Sequence, residues 1–420
     1  MFSLDHPEIL SHLGKLAYGY QPVRMPDGSF SLIAKVGKEI ILTARLNNGF
    51  KVYLVPDVTT PGQSLGFISA FFDDHDEPLV IFTPLCAGDA LLVDLTATLA
   101  QGRFELFLFD EHDRELLGAI GCIDEVIRFR QALAETSFPP LNLDAVHATY
   151  AAMQNWFGLR TNEDDACAFT VVLGERLYPD DLVIIDARHS AYAFQGSDGV
   201  IISTSLEREE PGASQEQDIV ALLRRVFPGE AIFLNPVRDD TGKELADVLV
   251  VTDEILLLVQ AKDSPNTEAA LRRPIERKRA IIRRHIEKGA RQLGGALSHC
   301  LERDEIGLRT ASGRRMVEIA DRAICGLVVV REMFDDDYKS CSAPVLAVAK
   351  ACSQPCILLD YSGLHLMALR LSSPVRLVNG FYQVFGVALE RGEYPKPRFS
   401  AGPSDDDAPR RHEGNVPERS

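Results

Sequence analysis

The chain has 420 residues, 46% of them hydrophobic and 25% charged. That length exceeds one core and predicts two or three domains. Apolar runs such as Ile324–Val330 fall far short of the ~20 residues of a bilayer-crossing helix. The formal net charge of −17 lies wholly in residues 1–214, which hold 14 Lys and Arg against 31 Asp and Glu, whereas residues 215–420 hold 30 of each. A polyanion partner is therefore excluded from the front half and left open for the back. There, Arg272–Arg291 carries nine basic side chains and two acids, Glu276 and Glu287.

Met1–Pro7 has neither a basic lead nor an apolar signal core, and none of the eight cysteines has the two-residue spacing of a zinc or redox pair. The expectation is a cytoplasmic chain with reduced thiols and no membrane partner.

In chain order, residues 1–130 predict an acidic, β-rich domain. Runs at Phe30–Val36, Glu39–Ala44, Phe50–Val55, Leu65–Phe72, Leu79–Phe82, Ala90–Leu95, Phe104–Phe109 and Leu116–Ile123 read as strands between turn residues. Two tips share a spelling: Asp73-Asp74-His75-Asp76 and Asp110-Glu111-His112-Asp113 each follow an apolar run. Hairpin turns are the commoner use of such residues, ahead of a metal site at His75 or His112.

Residues 131–206 read as mixed, with a helix over Leu143–Phe157 that holds the only tryptophan, Trp156. Strands are expected near Cys167–Leu173, Leu182–Asp186 and Val200–Ser203. The polar stretch Glu207–Ser214 marks a boundary, residues 213–390 form the next domain, and the Pro- and Ser-rich segment 391–420 is expected to lack structure.

Glu216–Phe227 has helical apolar spacing, with Ser214 as N-cap and Pro228-Gly229 as its end. A strand follows at Ala231–Val237, then the turn Asp239–Glu244. Asp247–Val251 and Ile255–Lys262, joined by a short polar connection, predict a hairpin. If residues 251 and 256 are opposite, Asp247 falls opposite Gln260, and Lys262 projects on the same side. Nearly continuous apolar runs bury such a hairpin, so charges at its mouth must be paired, solvated or bound to an ion. Asp247, Gln260 and the Ala261 carbonyl suit Mg²⁺ or Mn²⁺, and Lys262 could orient an attacking water or stabilise phosphate charge.

Asp247, twelve intervening residues and then Gln260-Ala261-Lys262, with Glu216 on a preceding helix, resembles the PD-(D/E)xK nuclease superfamily. The Gln-x-Lys form is most similar to its Mrr-like restriction endonuclease branch. The likeness covers residues 213–370 and implies a restriction-endonuclease-like α/β domain, a mixed central sheet flanked by helices. It casts Asp247 as metal-bridging acid, Gln260 as second ligand, Lys262 as catalytic lysine and Glu216 as the acid that orients metal-bound water. Ala246 stands where the motif's proline belongs, a position that varies. Glutamine for glutamate removes charge from the metal shell, which weakens binding. Glu244 is close enough in sequence to share the acidic role.

Ile275–Leu297 reads as a long helix with an apolar face at Ile282, Ile286, Ala290, Leu293 and Leu297. Arg277, Lys278, Arg284, Lys288, Arg291 and Gln292 are its candidate phosphate grips. Ala323–Val330, Cys356–Asp360 and Leu364–Leu369 are expected to complete the sheet. Thr241-Gly242-Lys243 lacks the upstream glycine of a phosphate loop, and Cys341, Cys352 and Cys356 read as core thiols.

The expectation is thus an α+β protein whose second domain is a Mg²⁺-dependent endodeoxyribonuclease of bacterial restriction or antiphage defence. DNA is the expected substrate and RNA the alternative. Double-strand cutting from one site per chain would need a homo-oligomer. The front half would restrain the nuclease, recognise a protein or sense a ligand. The competing reading is a non-catalytic binding or assembly protein that keeps the nuclease fold.

Overall fold

The computed structural model describes residues 1–142, 146–179, 181–186, 193–197, 202–210 and 212–399. It is a mixed α+β structure with two principal sheets. The first comprises β1 (Gly19–Arg24), β2 (Phe30–Lys35), β3 (Gly49–Pro56), β4 (Ser64–Phe71), β5 (Leu79–Pro84), β6 (Arg103–Phe109), β7 (Glu115–Ile123) and β8 (Phe169–Arg176). Their order is β1-β2-β6-β7-β8-β3-β4-β5, antiparallel except where β2 meets β6. Both Asp-x-His-Asp segments are hairpin tips, between β4 and β5 and between β6 and β7.

Two expected strands are helices: Lys38–Leu46 (α1) and Ala90–Ala100 (α2). Short apolar runs do not separate strand from helix by pattern alone. Asp89 decides the second, because its side chain accepts from the Leu91 amide at 3.0 Å and caps the helix. The boundary at residue 130 also falls inside this domain, since β8 sits between β7 and β3. The expected helix appears at Val146–Gly158 (α3), and β9 (Ile184–Asp186) pairs with β10 (Ile202–Thr204).

The second sheet contains β11 (Ile232–Leu234), β13 (Val248–Val251), β14 (Ile255–Lys262), β17 (Ala323–Val330) and β18 (Cys356–Asp360), in that order. β11, β13 and β14 are antiparallel, and β14, β17 and β18 parallel. A side sheet joins β12 (Val237–Arg238), β15 (Glu305–Thr310) and β16 (Gly313–Glu318). The helix bearing Glu216 is Gly212–Leu223 (α4); Ser214 lies inside its first turn. It packs on β11, β13 and β14, and the long basic helix Ile275–Leu301 (α5) packs on β14 and β17. Tyr338–Cys352 (α6) lies against α5, and Tyr361–Arg370 (α7) against α4.

Leu364–Leu369 is therefore helix, not strand. Asp360 ends β18 and caps α7 at once, accepting from the Gly363 amide at 2.7 Å, so no connection is left in which the chain could reverse. Of the segment 391–420, Tyr394 is fully buried and its hydroxyl donates to the Cys356 carbonyl at 2.5 Å, while residues 400–420 lie outside the described residues. All eight thiols are unpaired. Among the described residues no helix is long and apolar enough to cross a membrane.

The two cores meet through charge. The β6–β7 tip is buried, and Arg114 spans from Asp110 (2.7 Å) to Asp218 of α4 (2.9 Å). Lys38 of α1 reaches the same Asp218 at 3.1 Å, and His112 meets the Tyr361 hydroxyl at 2.5 Å. Arg331, just past β17, bonds Glu39 and Glu111. The β4–β5 tip instead reaches α5, where Asp73 holds Lys278 at 2.6 Å and Glu77 holds Arg279.

Candidate functional site

The β13–β14 register pairs Val251 with Leu256 and Val248 with Val259, so Asp247 comes opposite Gln260 where the hairpin opens. Side chains alternate along a strand, which puts Gln260 and Lys262 on one face. α5 covers that face closely: a Cβ at Gly289 would lie 3.6 Å from Lys262 Cγ and 3.0 Å from Val328 Cγ1. Glycine at 289 lets the basic helix pass directly over the lysine.

Asp247 Oδ2 accepts from the Ala261 amide at 2.6 Å and from Lys262 Nζ at 2.8 Å. Lys262 Nζ also donates to the Ala261 carbonyl at 2.6 Å. Gln260 is 3% exposed, and its Oε1 has no hydrogen-bond partner. An orphaned buried amide oxygen is costly and calls for an explanation.

Glu216 joins the group through Asn235, whose Nδ2 donates to Glu216 Oε2 at 2.9 Å while its backbone N–H donates to the Asp247 carbonyl at 3.0 Å. Asn235 does this in a left-handed conformation, φ 47°, which asparagine tolerates better than most residues. It divides the expected strand 231–237 into β11 and β12. Glu244, bridged to Val237, shares a hydrogen bond with Asp247.

The carboxylates repel one another. Burial, then the charge of Asp247, raises the Glu216 pKa against relief from Asn235 and Lys262. Partial burial, the hydrogen bond to Asp247 and the charges of Asp247 and Glu216 push Glu244 up to about 7. On α5, burial and then the charges of Lys262, Lys288 and Arg284 push the His285 imidazole below its usual range. His285 is thus an imidazole among cations, Lys262 the first of them.

The expected residues Glu216, Asp247, Gln260, Ala261 and Lys262 are brought together. Among the described residues no three His, Cys, Asp or Glu side chains converge as a metal centre. The oxygens at the hairpin end are instead the Asp247 carboxylate, the Gln260 amide oxygen and the Ala261 carbonyl. Such oxygen ligands fit a hard cation that keeps several of its waters.

Along α5, Arg277, Arg284, Lys288, Arg291 and Gln292 are exposed. The four cations among them form no ion pair with any described residue. Lys278 departs from this set: it is buried against Asp73, because its helical position turns it toward the first domain. Arg279 and Arg283 are likewise engaged, with Asp336 and Asp337.

Sequence reasoning missed Asn235 and His285. Asn235-Pro236 does carry a turn signal, since the residue before proline avoids the helical region. His285 has no local signal, because only the packing of α5 brings it to Lys262. No protein-family model matches the chain, and no curated protein matches it.

Proposed function

We propose that the second domain is a divalent-metal-dependent nuclease with a restriction-endonuclease-like core that hydrolyses DNA phosphodiester bonds, acting in defence against foreign DNA. The observation that carries this reading is the convergence of Asp247, Lys262 and the partnerless Gln260 Oε1 at one hairpin end, beside an exposed basic helix. Asp247, Gln260 Oε1 and the Ala261 carbonyl would hold Mg²⁺, with Glu216 and Glu244 on its periphery.

When bound, the ion supplies Lewis-acid polarisation of a phosphoryl oxygen and neutralises developing charge. Lys262 would offer its ammonium to the phosphate, where a cation stabilises the transition state. Glu216, oriented by Asn235, accepts a proton from the attacking water. Arg284, Lys288 and Arg291, recurring every three or four residues, grip the backbone and position the scissile bond.

One observation favours the non-catalytic reading: Lys262 Nζ already engages Asp247 Oδ2 and the Ala261 carbonyl, two of the proposed donors. A cleavage assay separates the two. Purified protein with Mg²⁺ is expected to cut supercoiled or linear duplex DNA, and D247A and K262A to lose ~10²-fold or more in rate. Equal cleavage by wild type and both variants would overturn the catalytic assignment.

A further inference from the structure

Between the two cores lies a second feature that the proposed nuclease chemistry does not use. A cavity of about 800 Å³ is walled by both halves of the chain, by Tyr18, Glu39 and Glu111 on one side and Arg331, Glu332 and Tyr361 on the other. It opens beyond the carboxyl ends of β17 and β18, where Arg331 and Asp360 stand. Crevices outside the carboxyl ends of parallel strands, and at domain interfaces, are where small molecules most often bind.

Its lining is acidic, with eight carboxylates against three cations, Arg160, Arg331 and Lys396. Each cation is already engaged: Arg331 bonds Glu111 at 2.8 Å, Lys396 bonds Asp335 at 3.2 Å, and Arg160 pairs with Asp165 at 3.4 Å. Glu332 has no ion pair or hydrogen bond with any described residue. Glu111 is 2% exposed, and its Oε2 lacks a partner although Oε1 holds Arg331. The Tyr18 hydroxyl is buried and equally unpartnered.

These groups are spread around the walls. No three carboxylates among the described residues converge as a metal centre. Aromatic rings, including Phe82, Phe157 and Phe334, share the lining with them. A lining of carboxylates and aromatic rings matches a ligand whose positive charges are carried on an apolar chain. Ammonium groups would complete Glu332 and Glu111, and the methylene chain would lie on the rings with cation–π contributions.

We propose that this interdomain cavity is a binding site for a small organic polycation, a di- or polyamine, held by Glu332 and Glu111 and packed against Tyr18 and Phe82. This inference is independent of the nuclease reading.

Isothermal titration of the full chain with spermidine tests it, at constant ionic strength and without nucleic acid. One saturable site per chain is expected, with putrescine weaker. Because Glu332 has no partner, E332Q should leave the fold intact and weaken spermidine binding ~10-fold; E111Q should weaken it as well. Heat that never saturates, equal affinity in wild type and E332Q, or displacement by MgCl2 at matched ionic strength would each overturn the assignment. The readout does not involve cleavage, so it succeeds or fails separately from the proposed enzyme.

Discussion

Asp218 and Asp247 are each 6% exposed, and both serve the neighbourhood of helix α4, yet their surroundings are opposites. Burial alone would raise the Asp218 pKa, but Arg114, Lys38 and Arg208 overturn it and hold the carboxyl well below its usual range. Asp247 has a single ammonium, and the acids beside it, Glu216 and Glu244, are both pushed upward. One cluster is saturated with cations and joins two cores; the other carries more negative charge than its protein partners answer. Buried charge is therefore not in itself a mark of function. The distinguishing feature is an unfilled requirement, here two displaced carboxyl pKa values and an orphaned amide oxygen.

The comparison breaks most visibly at the saturated cluster. R114A leaves Asp110 and Asp218 short of a cation in a buried setting, and removing one partner of such a network costs ~3–5 kcal/mol. Urea unfolding is expected to show a loss of that size, and a loss below ~1 kcal/mol would mean that the cluster does not hold the cores together.

A second effect concerns acid. His365 on α7 is fully buried, both its ring nitrogens lack partners, and burial with the charges of Lys35 and Arg225 pushes its pKa from 6.5 to about 3. The unfolded chain takes up this proton below about 6.5, whereas the folded chain refuses it until about 3. Stability is therefore complete above pH 6.5 and falls on acidification by up to ~1.4 kcal/mol per pH unit for this one group. H365Q should flatten that slope in denaturant titrations at stepped pH. An unchanged slope would remove His365 from the acid response.

The hairpin and the placement of its polar residues were legible because register propagates. Once Val251 faces Leu256, the pleat fixes Asp247, Gln260 and Lys262 without reference to anything distant. The basic helix was legible from its spacing, but Lys278 was not, since its partner Asp73 lies 205 residues away. The shared spelling of the two hairpin tips announced turns and hid their fates. Exposed His75 and buried His112 differ only through what the second domain brings to them. Helices α1 and α2 were misread as strands because runs of six apolar or alternating residues satisfy either period. The polycation cavity is invisible in the sequence, as its walls come from five or more separated segments.

The most direct measurement on the contrast between Asp218 and Asp247 is Mn²⁺ binding, followed by titration calorimetry or electron paramagnetic resonance, in wild type, D247N and D218N. One Mn²⁺ per chain is expected in wild type, with its loss in D247N and its retention in whatever fraction of D218N remains folded. Mn²⁺ bound equally well by D247N, or not at all by wild type, would contradict it.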